Sequence, residues 1–291
     1  MDRLLLVDGS NLLFQMFFGM PSRIINKDGK AIQGTLGFVG ALLKIIRKVE
    51  PTHVAVLFDG ETHNPRRELD AAYKANREDY SQVNEEENPF SQLPDIYKAL
   101  DYLGICHEET TDCETDDWMA GYVKKYIWNC CTEQGMVTEL PEIIISSFDS
   151  DFFQLISEQV SILRYRGENT VLCDSAYIKE KLGIEPWQYA DFKSMTGDTA
   201  DNIKGAEKIG PKTAAGLLRE FGTLEEIISH ADEIKKPSVR KSIVENTERL
   251  RKNHRLICLS GADTLPFTVE ELRYTDNEFT TNEVLTGIGL K

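Results

Sequence analysis

Two spacings of apolar residues alternate along this chain. Residues 3–7, 53–58 and 143–148 are short runs rich in leucine, isoleucine and valine, which predict buried strands. The first two close on Asp8 and Asp59, and the third on Asp149 and Asp151, two acids spaced i, i+2. A fourth, shorter strand is predicted over 160–163. Between the first two runs, Leu36, Val39, Leu42, Leu43 and Ile46 recur at helical spacing, so 34–49 predicts an amphipathic helix stopped by Pro51. A second helix is predicted over 92–103, ending at Gly104. Strand, helix and strand in this order form a βαβ unit, so the fold class is α/β, a parallel sheet flanked by helices.

Other stretches break this pattern. In 61–91, Arg66, Arg67, Tyr73, Lys74, Arg77 and Tyr80 interleave cations with aromatic rings before Glu85-Glu86-Glu87-Asn88-Pro89. That predicts a long, partly helical excursion from the sheet, or else a solvated charged loop. Glu114, Asp116 and Asp117 open a helix. One acid there would serve as a cap or a dipole complement, but three within four residues exceed what capping requires. A helix is predicted over 187–195, followed by Asp198 and Asp201. The turn Ile209-Gly210-Pro211-Lys212 then opens a small-residue helix, a pattern that suits a helix-hairpin-helix, where backbone N–H groups meet a phosphate. Residues 261–291 are polar and acidic and suggest no function.

Composition narrows the classes. With 291 residues, 41% hydrophobic and 28% charged, the chain suits one large or two ordinary globular domains. It has no apolar run long enough for a membrane helix, and its start has too short an apolar core for a signal peptide, so a cytoplasmic protein is expected. Cys106, Cys113, Cys130, Cys131, Cys173 and Cys258 form no C-x-x-C pair, which predicts free thiols. A net charge of −15 argues at face value against nucleic acid, but its distribution is uneven. Residues 176–260 hold 15 Lys and Arg against 13 Asp and Glu, with eight of those cations between 235 and 255.

That leaves carboxylates delivered to one edge of a parallel sheet, where ligands of such sheets bind. Clustered acids raise each other's pKa unless cations intervene, and an all-oxygen donor set suits Mg²⁺ or Mn²⁺. A phosphatase or phosphotransferase also uses acids at a strand end, but explains neither the cationic excursion nor the Gly-Pro turn.

Together these motifs resemble the 5′ nuclease family, the flap endonucleases and 5′–3′ exonucleases found alone or at the N-terminus of bacterial DNA polymerase I. The resemblance covers roughly residues 3–260. Leu6-Val7-Asp8-Gly9 and Val56-Leu57-Phe58-Asp59 are similar to its first two strand motifs. Glu114-Thr115-Asp116-Asp117, Asp149-Ser150-Asp151 and Gly197-Asp198-Thr199-Ala200-Asp201-Asn202 are similar to its E-x-D-D, D-x-D and G-D-x-x-D-N elements. The resemblance implies a PIN-like nuclease core over 1–175 with a helical arch at about 61–91. It also implies a helix-hairpin-helix DNA-binding module over 176–260 and an extension over 261–291. One divalent ion would lie at Asp8, Asp59, Glu114 and Asp116 with Asp117 close by, and a second near Asp149, Asp151, Asp198 and Asp201.

Tyr73-Lys74-Ala75-Asn76-Arg77 resembles the Y-K-x-x-R element, which implies catalytic roles for Lys74 and Arg77 at the scissile phosphate. DNA contacts are implied for Arg66, Arg67 and Tyr73, and at the hairpin for Lys208, Ile209, Gly210, Lys212 and Thr213, with a K⁺ ion there. The implied function is two-metal hydrolysis of DNA by a monomer acting on 5′ single-stranded ends, flaps or nicks. The rival readings are a DNA-structure-binding protein with weak or no cleavage, and a PIN-type RNA nuclease. Two departures stand out. Phe14-Gln15-Met16-Phe17-Phe18-Gly19 lacks the basic and imidazole groups of polymerase-attached relatives, and Thr199-Ala200 replaces a pair of serines.

Overall fold

The computed structural model describes residues 2–60, 64–78, 80, 83, 84, 86–132 and 141–291. β1 (Arg3–Asp8) runs directly into α1 (Gly9–Gly19), because the Asp8 carboxylate caps that helix by accepting from the Asn11 N–H at 2.9 Å. α2 (Gln33–Val49) buries the predicted stripe and ends where Glu50 turns left-handed (φ 51°), its N–H returning to the Ile46 carbonyl. β2 (His53–Phe58) is buried along its whole length. There follow α3 (Pro65–Leu69), α4 (Leu93–Leu103), β3 (Cys106–Glu109), α5 (Thr115–Thr132), β4 (Glu142–Ser146), β5 (Val160–Arg164) and β6 (Val171–Cys173). The rest is mainly helical: α6 (Ser175–Leu182), α7 (Tyr189–Thr196), the short hairpin of β7 (Gly197–Asp198) and β8 (Ile203–Lys204), then α8 (Pro211–Phe221), α9 (Leu224–Ser229), α10 (Pro237–Ile257) and α11 (Thr281–Gly287).

Six strands form one sheet in the order β3-β2-β1-β4-β5-β6, parallel except for β6, which runs antiparallel to β5. Alternate residues of β1 feed two cores. Leu4 and Leu6 join Ile143, Ile145, Tyr122 and Phe152 on one face, while Leu5 and Val7 join Val56, Phe38 and Leu42 on the other. Each such side chain contributes about 2 kcal/mol by burial, so a one-residue slip would exchange both faces at once and the register is fixed. The chain leaves β1 on one side, to β2 and β3, and returns on the other at β4. The crevice between β1 and β4 is therefore the switch point where open α/β sheets take ligands.

Several expectations change. The third strand is Glu142–Ser146, not 143–148, so Asp149 lies in the loop beyond it, and Asp151 opens a single 3₁₀ turn (Asp151–Leu155). β3 and β6 were not predicted. The excursion at 61–91, expected to be a helical arch, has among its described residues one short α-helix, α3, turns over 71–76 and a 3₁₀ turn that opens at Pro89; residues 61–63, 79, 81, 82 and 85 lie outside the described residues. Residues 261–291 fold back over the N-terminal half. The Ala262 N–H donates to the Asp117 carbonyl at 2.8 Å, the Tyr274 N–H to the Thr52 carbonyl at 2.9 Å, and α11 packs on α2 and α4. Gly121 in α5 makes room for this crossing, since a Cβ there would stand 2.6 Å from the Ala262 carbonyl oxygen. Among the described residues, no helix is long and apolar enough to cross a membrane. Cys106, Cys113, Cys173 and Cys258 are free thiols, whereas Cys130 and Cys131 have side chains outside the description.

Candidate active site

Asp8 stands at the carboxyl end of β1, buried, with one oxygen on the Asn11 N–H and the other accepting from Ser147 Oγ at 2.8 Å. Ser147 Oγ also accepts the Asp149 N–H at 2.9 Å, so one hydroxyl fixes the acids of β1 and of the β4 loop together. Burial, then the charges of Asp59 and Asp149, push the Asp8 carboxyl up to about 7. Asp59 lies one residue past β2 and accepts the Thr115 N–H at 3.0 Å. Gly60 follows because β2 ends close against the neighbouring loop, where a Cβ would fall 2.0 Å from the Thr110 carbonyl oxygen. Asp116, in the first turn of α5, is driven well above the ordinary carboxyl range by desolvation and by Asp149. Asp8, Asp59, Asp116 and Asp149 line a cavity of about 810 Å³, together with Arg67, Lys74 and Arg77.

Glu114 is different. It is buried, yet accepts from Asn64 Nδ2 at 2.8 Å, Arg66 at 2.9 Å, Tyr73 Oη at 2.9 Å and Lys74 Nζ. Burial alone would raise its pKa, but Lys74 and Arg66 outweigh it and hold the carboxyl below its usual range. Lys74 is buried too, with left-handed backbone (φ 54°), and Glu114, Asp116 and Asp201 more than offset the effect of burial on its ammonium. Asp117 is bound by both arms of Arg66, at 2.6 and 2.8 Å.

The second group comes from three places. Asp151 is buried, its Oδ1 has no hydrogen-bond partner among the described residues, and desolvation followed by Asp149, Asp201 and Asp198 raises its pKa far above normal. Asp198 pairs with Lys193 of α7 and accepts the Ala200 N–H at 2.9 Å. Asp201 sits in the loop between β7 and β8, takes Arg77 at 3.1 Å, and is raised by burial despite Lys74 and Arg77. All nine sequence-predicted acids therefore lie along one edge. As they stand, no three among the described residues are close enough to share one ion, and most are turned to a cation or a backbone N–H. An all-oxygen donor set with a buried, unpartnered Asp151 oxygen is nonetheless the chemistry that a hard divalent cation satisfies.

The expected DNA contacts separate. Arg67 is exposed on the cavity wall, whereas Arg66 is turned inward, its guanidinium consumed by Asp117, Glu114 and the Leu256 carbonyl. Tyr73 is buried against Leu256, Ile257 and Ile203 with its hydroxyl on Glu114, so neither it nor Arg66 faces solvent as a phosphate contact would. At the hairpin, Lys208, Gly210 and Lys212 are exposed and Thr213 is half-buried, but Ile209 is buried and offers only backbone. In the basic run, Lys241, Arg251 and Lys252 pair with Glu245, Glu225 and Asp70, which leaves less free positive charge than the count suggests. At the departures noted in the sequence, Gln15 donates to the Tyr165 carbonyl at 2.7 Å, and Phe18 joins Phe14 and Tyr80 in an aromatic cluster. Ser147, Asn64 and Lys193 were missed. Single polar residues of this kind carry no spacing signal.

The chain matches the family models for the 5′–3′ exonuclease N-terminal resolvase-like domain over residues 3–183 and C-terminal SAM fold over 184–280. It is 34% identical over 258 residues to the thermostable DNA polymerase I of Thermus thermophilus, covering 87% of this chain and 28% of that protein. It is 32% identical to the DNA polymerase I of Deinococcus radiodurans, over 99% of this chain and again 28% of the relative. The chain thus spans about a quarter of the length of these polymerases. Among solved structures, it is similar to the bacteriophage T5 flap endonuclease complexed with DNA and metal ions, at TM-score 0.69, 25% identity, and 88% and 89% of the two chains. The catalytic core of Rad2 with DNA substrate shares the fold at TM-score 0.58 and 18% identity, over 99% and 93% of the chains.

Proposed function

The chain belongs to the 5′–3′ exonuclease family, and on that premise we propose that it is a structure-dependent 5′ nuclease that hydrolyses DNA phosphodiesters at 5′ single-stranded ends, flaps or nicks. The observation that carries this reading is the single cavity on which Asp8, Asp59, Asp116 and Asp149 converge beside Lys74 and Arg77. A cleft built only from acids would repel a phosphodiester. One that mixes carboxylates with cations suits a phosphate bridged by metal ions.

Asp8, Asp59, Glu114 and Asp116, with Asp117 beside them, would hold one divalent ion. Asp149, Asp151, Asp198 and Asp201 would hold another, with Mg²⁺ favoured by the oxygen donors and Mn²⁺ an acceptable replacement. When bound, such ions activate water at neutral pH and neutralise charge on the phosphate. The protein's own part is positioning. Ser147 fixes Asp8 and the Asp149 loop in one geometry, and Lys74 and Arg77 would supply positive charge at the cavity wall. Both cations stand on carboxylates, Glu114 and Asp201, which ions would neutralise. Both would face a phosphate held in the cavity they line. The exposed Lys208, Gly210 and Lys212 at the start of α8 would hold the duplex backbone, with a K⁺ ion in that turn.

The test is cleavage of 5′-labelled flap, nicked and single-stranded DNA, and of RNA, in Mg²⁺, Mn²⁺ or EDTA. Divalent-dependent cutting of branched DNA is expected. Its absence, with binding retained, would leave a DNA-structure-binding protein, and preferential cutting of RNA would overturn the DNA assignment.

A further inference from the structure

Arg66 of α3 stands out among the cations around the cleft because it binds three residues at two other elements. From α3, its two terminal nitrogens grip Asp117 at 2.6 and 2.8 Å, one of them also reaches Glu114 at 2.9 Å, and Nε donates to the Leu256 carbonyl at 2.8 Å. Its side chain is only 11% exposed. Asp117 and Glu114 flank the start of α5, and Leu256 belongs to the last turn of α10. A planar guanidinium with donors on two edges can hold all three acceptors at once, whereas an ammonium is a single point of charge. The neighbouring contacts run the same way: Lys252 of α10 pairs with Asp70 at 2.7 Å, Asn202 donates to the Ala72 carbonyl at 2.8 Å, and the Lys74 N–H to the Asp201 carbonyl at 3.0 Å. Residues 64–77 thus lie between the sheet edge and the helical second half, bonded to both.

We propose that Arg66 is a positioning residue rather than a phosphate contact. It orients Glu114 and Asp117 as carboxylates and ties them to the carboxyl end of α10, so that divalent-ion affinity depends on how the second half is docked. The inference rests on the proposed nuclease reading. A group that orients ligands without touching the ion typically changes metal affinity by about 10–100-fold when altered. A phosphate contact would instead change DNA affinity.

The experiment compares the full chain with Arg66→Lys and Asp117→Asn in two assays. One is the rise in melting temperature on titration with Ca²⁺, which needs no turnover. The other is steady-state cleavage of a 5′ flap across Mg²⁺ concentrations. Arg66→Lys is expected to shift the midpoint of both titrations upward by about 10-fold or more and to lower kcat, with KM for the flap within about 2-fold of the parent. Asp117→Asn should shift the same midpoint, and the double variant should add little, because both changes break one contact. A higher KM with unmoved Ca²⁺ and Mg²⁺ midpoints would make Arg66 a phosphate contact and overturn the proposal, as would additive effects in the double variant. If Arg66→Lys does not fold, Asp117→Asn alone decides: an unmoved midpoint overturns it. A parent that shows neither a Ca²⁺ response nor cleavage overturns the nuclease reading and this inference together, whereas a responsive parent whose variants keep its midpoints overturns only the role of Arg66.

Discussion

Glu114 and Asp151 are both buried carboxylates on the same sheet edge, and their surroundings push them in opposite directions. Glu114 has four donors, two of them cationic, and its pKa is lowered; Asp151 has an oxygen with no partner, and its pKa is raised. Residue type and depth do not account for the difference. What decides it is that α3 and the turns after it send Arg66, Tyr73 and Lys74 toward Glu114, while the Asp149–Asp151 loop faces further acids. Glu114 carries its own counter-charge, and Asp151 must borrow it from a proton or a metal ion.

The largest effect should come from removing an acid that lacks internal counter-charge. Asp149→Ala is expected to lower flap cleavage by about 10³-fold or more while binding of the flap in Ca²⁺ stays near the parent's. Equal loss of binding would mean that the acids hold DNA and are not confined to chemistry. Stability should separate the clusters next. In EDTA, Glu114→Gln leaves Lys74 buried without its carboxylate and should destabilise by about 3–5 kcal/mol, whereas Asp151→Asn removes an unpaired buried acid and should be neutral or stabilising. Urea melts giving the two variants the same midpoint would erase the contrast. Lys74→Ala should slow cleavage by about 10²-fold with Mg²⁺ affinity not weakened, since the lysine competes for Glu114. A parent-like rate would remove Lys74 from the reaction.

The smallest effect is on pH dependence. Asp8 is raised from 3.8 to about 7, so the stability its proton gives is fully present below the unfolded value and is lost as pH rises through about 7. Glu114 is lowered, so its contribution is present above about 4.5 and is lost as pH falls. Metal-free protein should therefore melt highest near pH 4–5, by roughly this balance, and saturating Mg²⁺ should flatten the decline toward pH 8. Calorimetry across pH with and without Mg²⁺ checks it. A decline that persists in Mg²⁺ would mean that no ion replaces the Asp8 proton.

The parts of this molecule legible in its sequence are those written as periodic patterns. The buried strands announce themselves by apolar runs, and Asp8, Asp59, Asp149 and Asp151 by where those runs stop. β3 is Cys-His-Glu-Glu, half polar without alternation, and it is a strand only because Phe58 and its neighbours offer a ladder to join. The roles of Arg66 and Tyr73 were invisible for a related reason. An interleaved cation and ring look the same whether they face a phosphate or a buried carboxylate, and only the packing of α10 against 64–77 decides. Ser147 illustrates the limit. Its hydroxyl joins two acids 141 positions apart in the numbering, Asp8 and Asp149, and nothing local marks it.

The segment that crosses α5 at Gly121 also sets the order in which the chain can become itself. Arg47 of α2 reaches the Phe279 carbonyl across 232 residues of sequence, and α11 covers α2 and α4, elements formed from the first third of the chain. Contacts of such separation form late, because loop-closure entropy is lost before they are made. A nascent chain emerging N-terminus first has Asp8, Asp59 and the Asp149 loop in hand while α2 still lacks its cover. Pulse-labelled hydrogen exchange during refolding should find the amides of α2 protected only after α11 docks. Residues 261–291 thus act as a clasp, closing late over helices whose sheet already carries its acids in place.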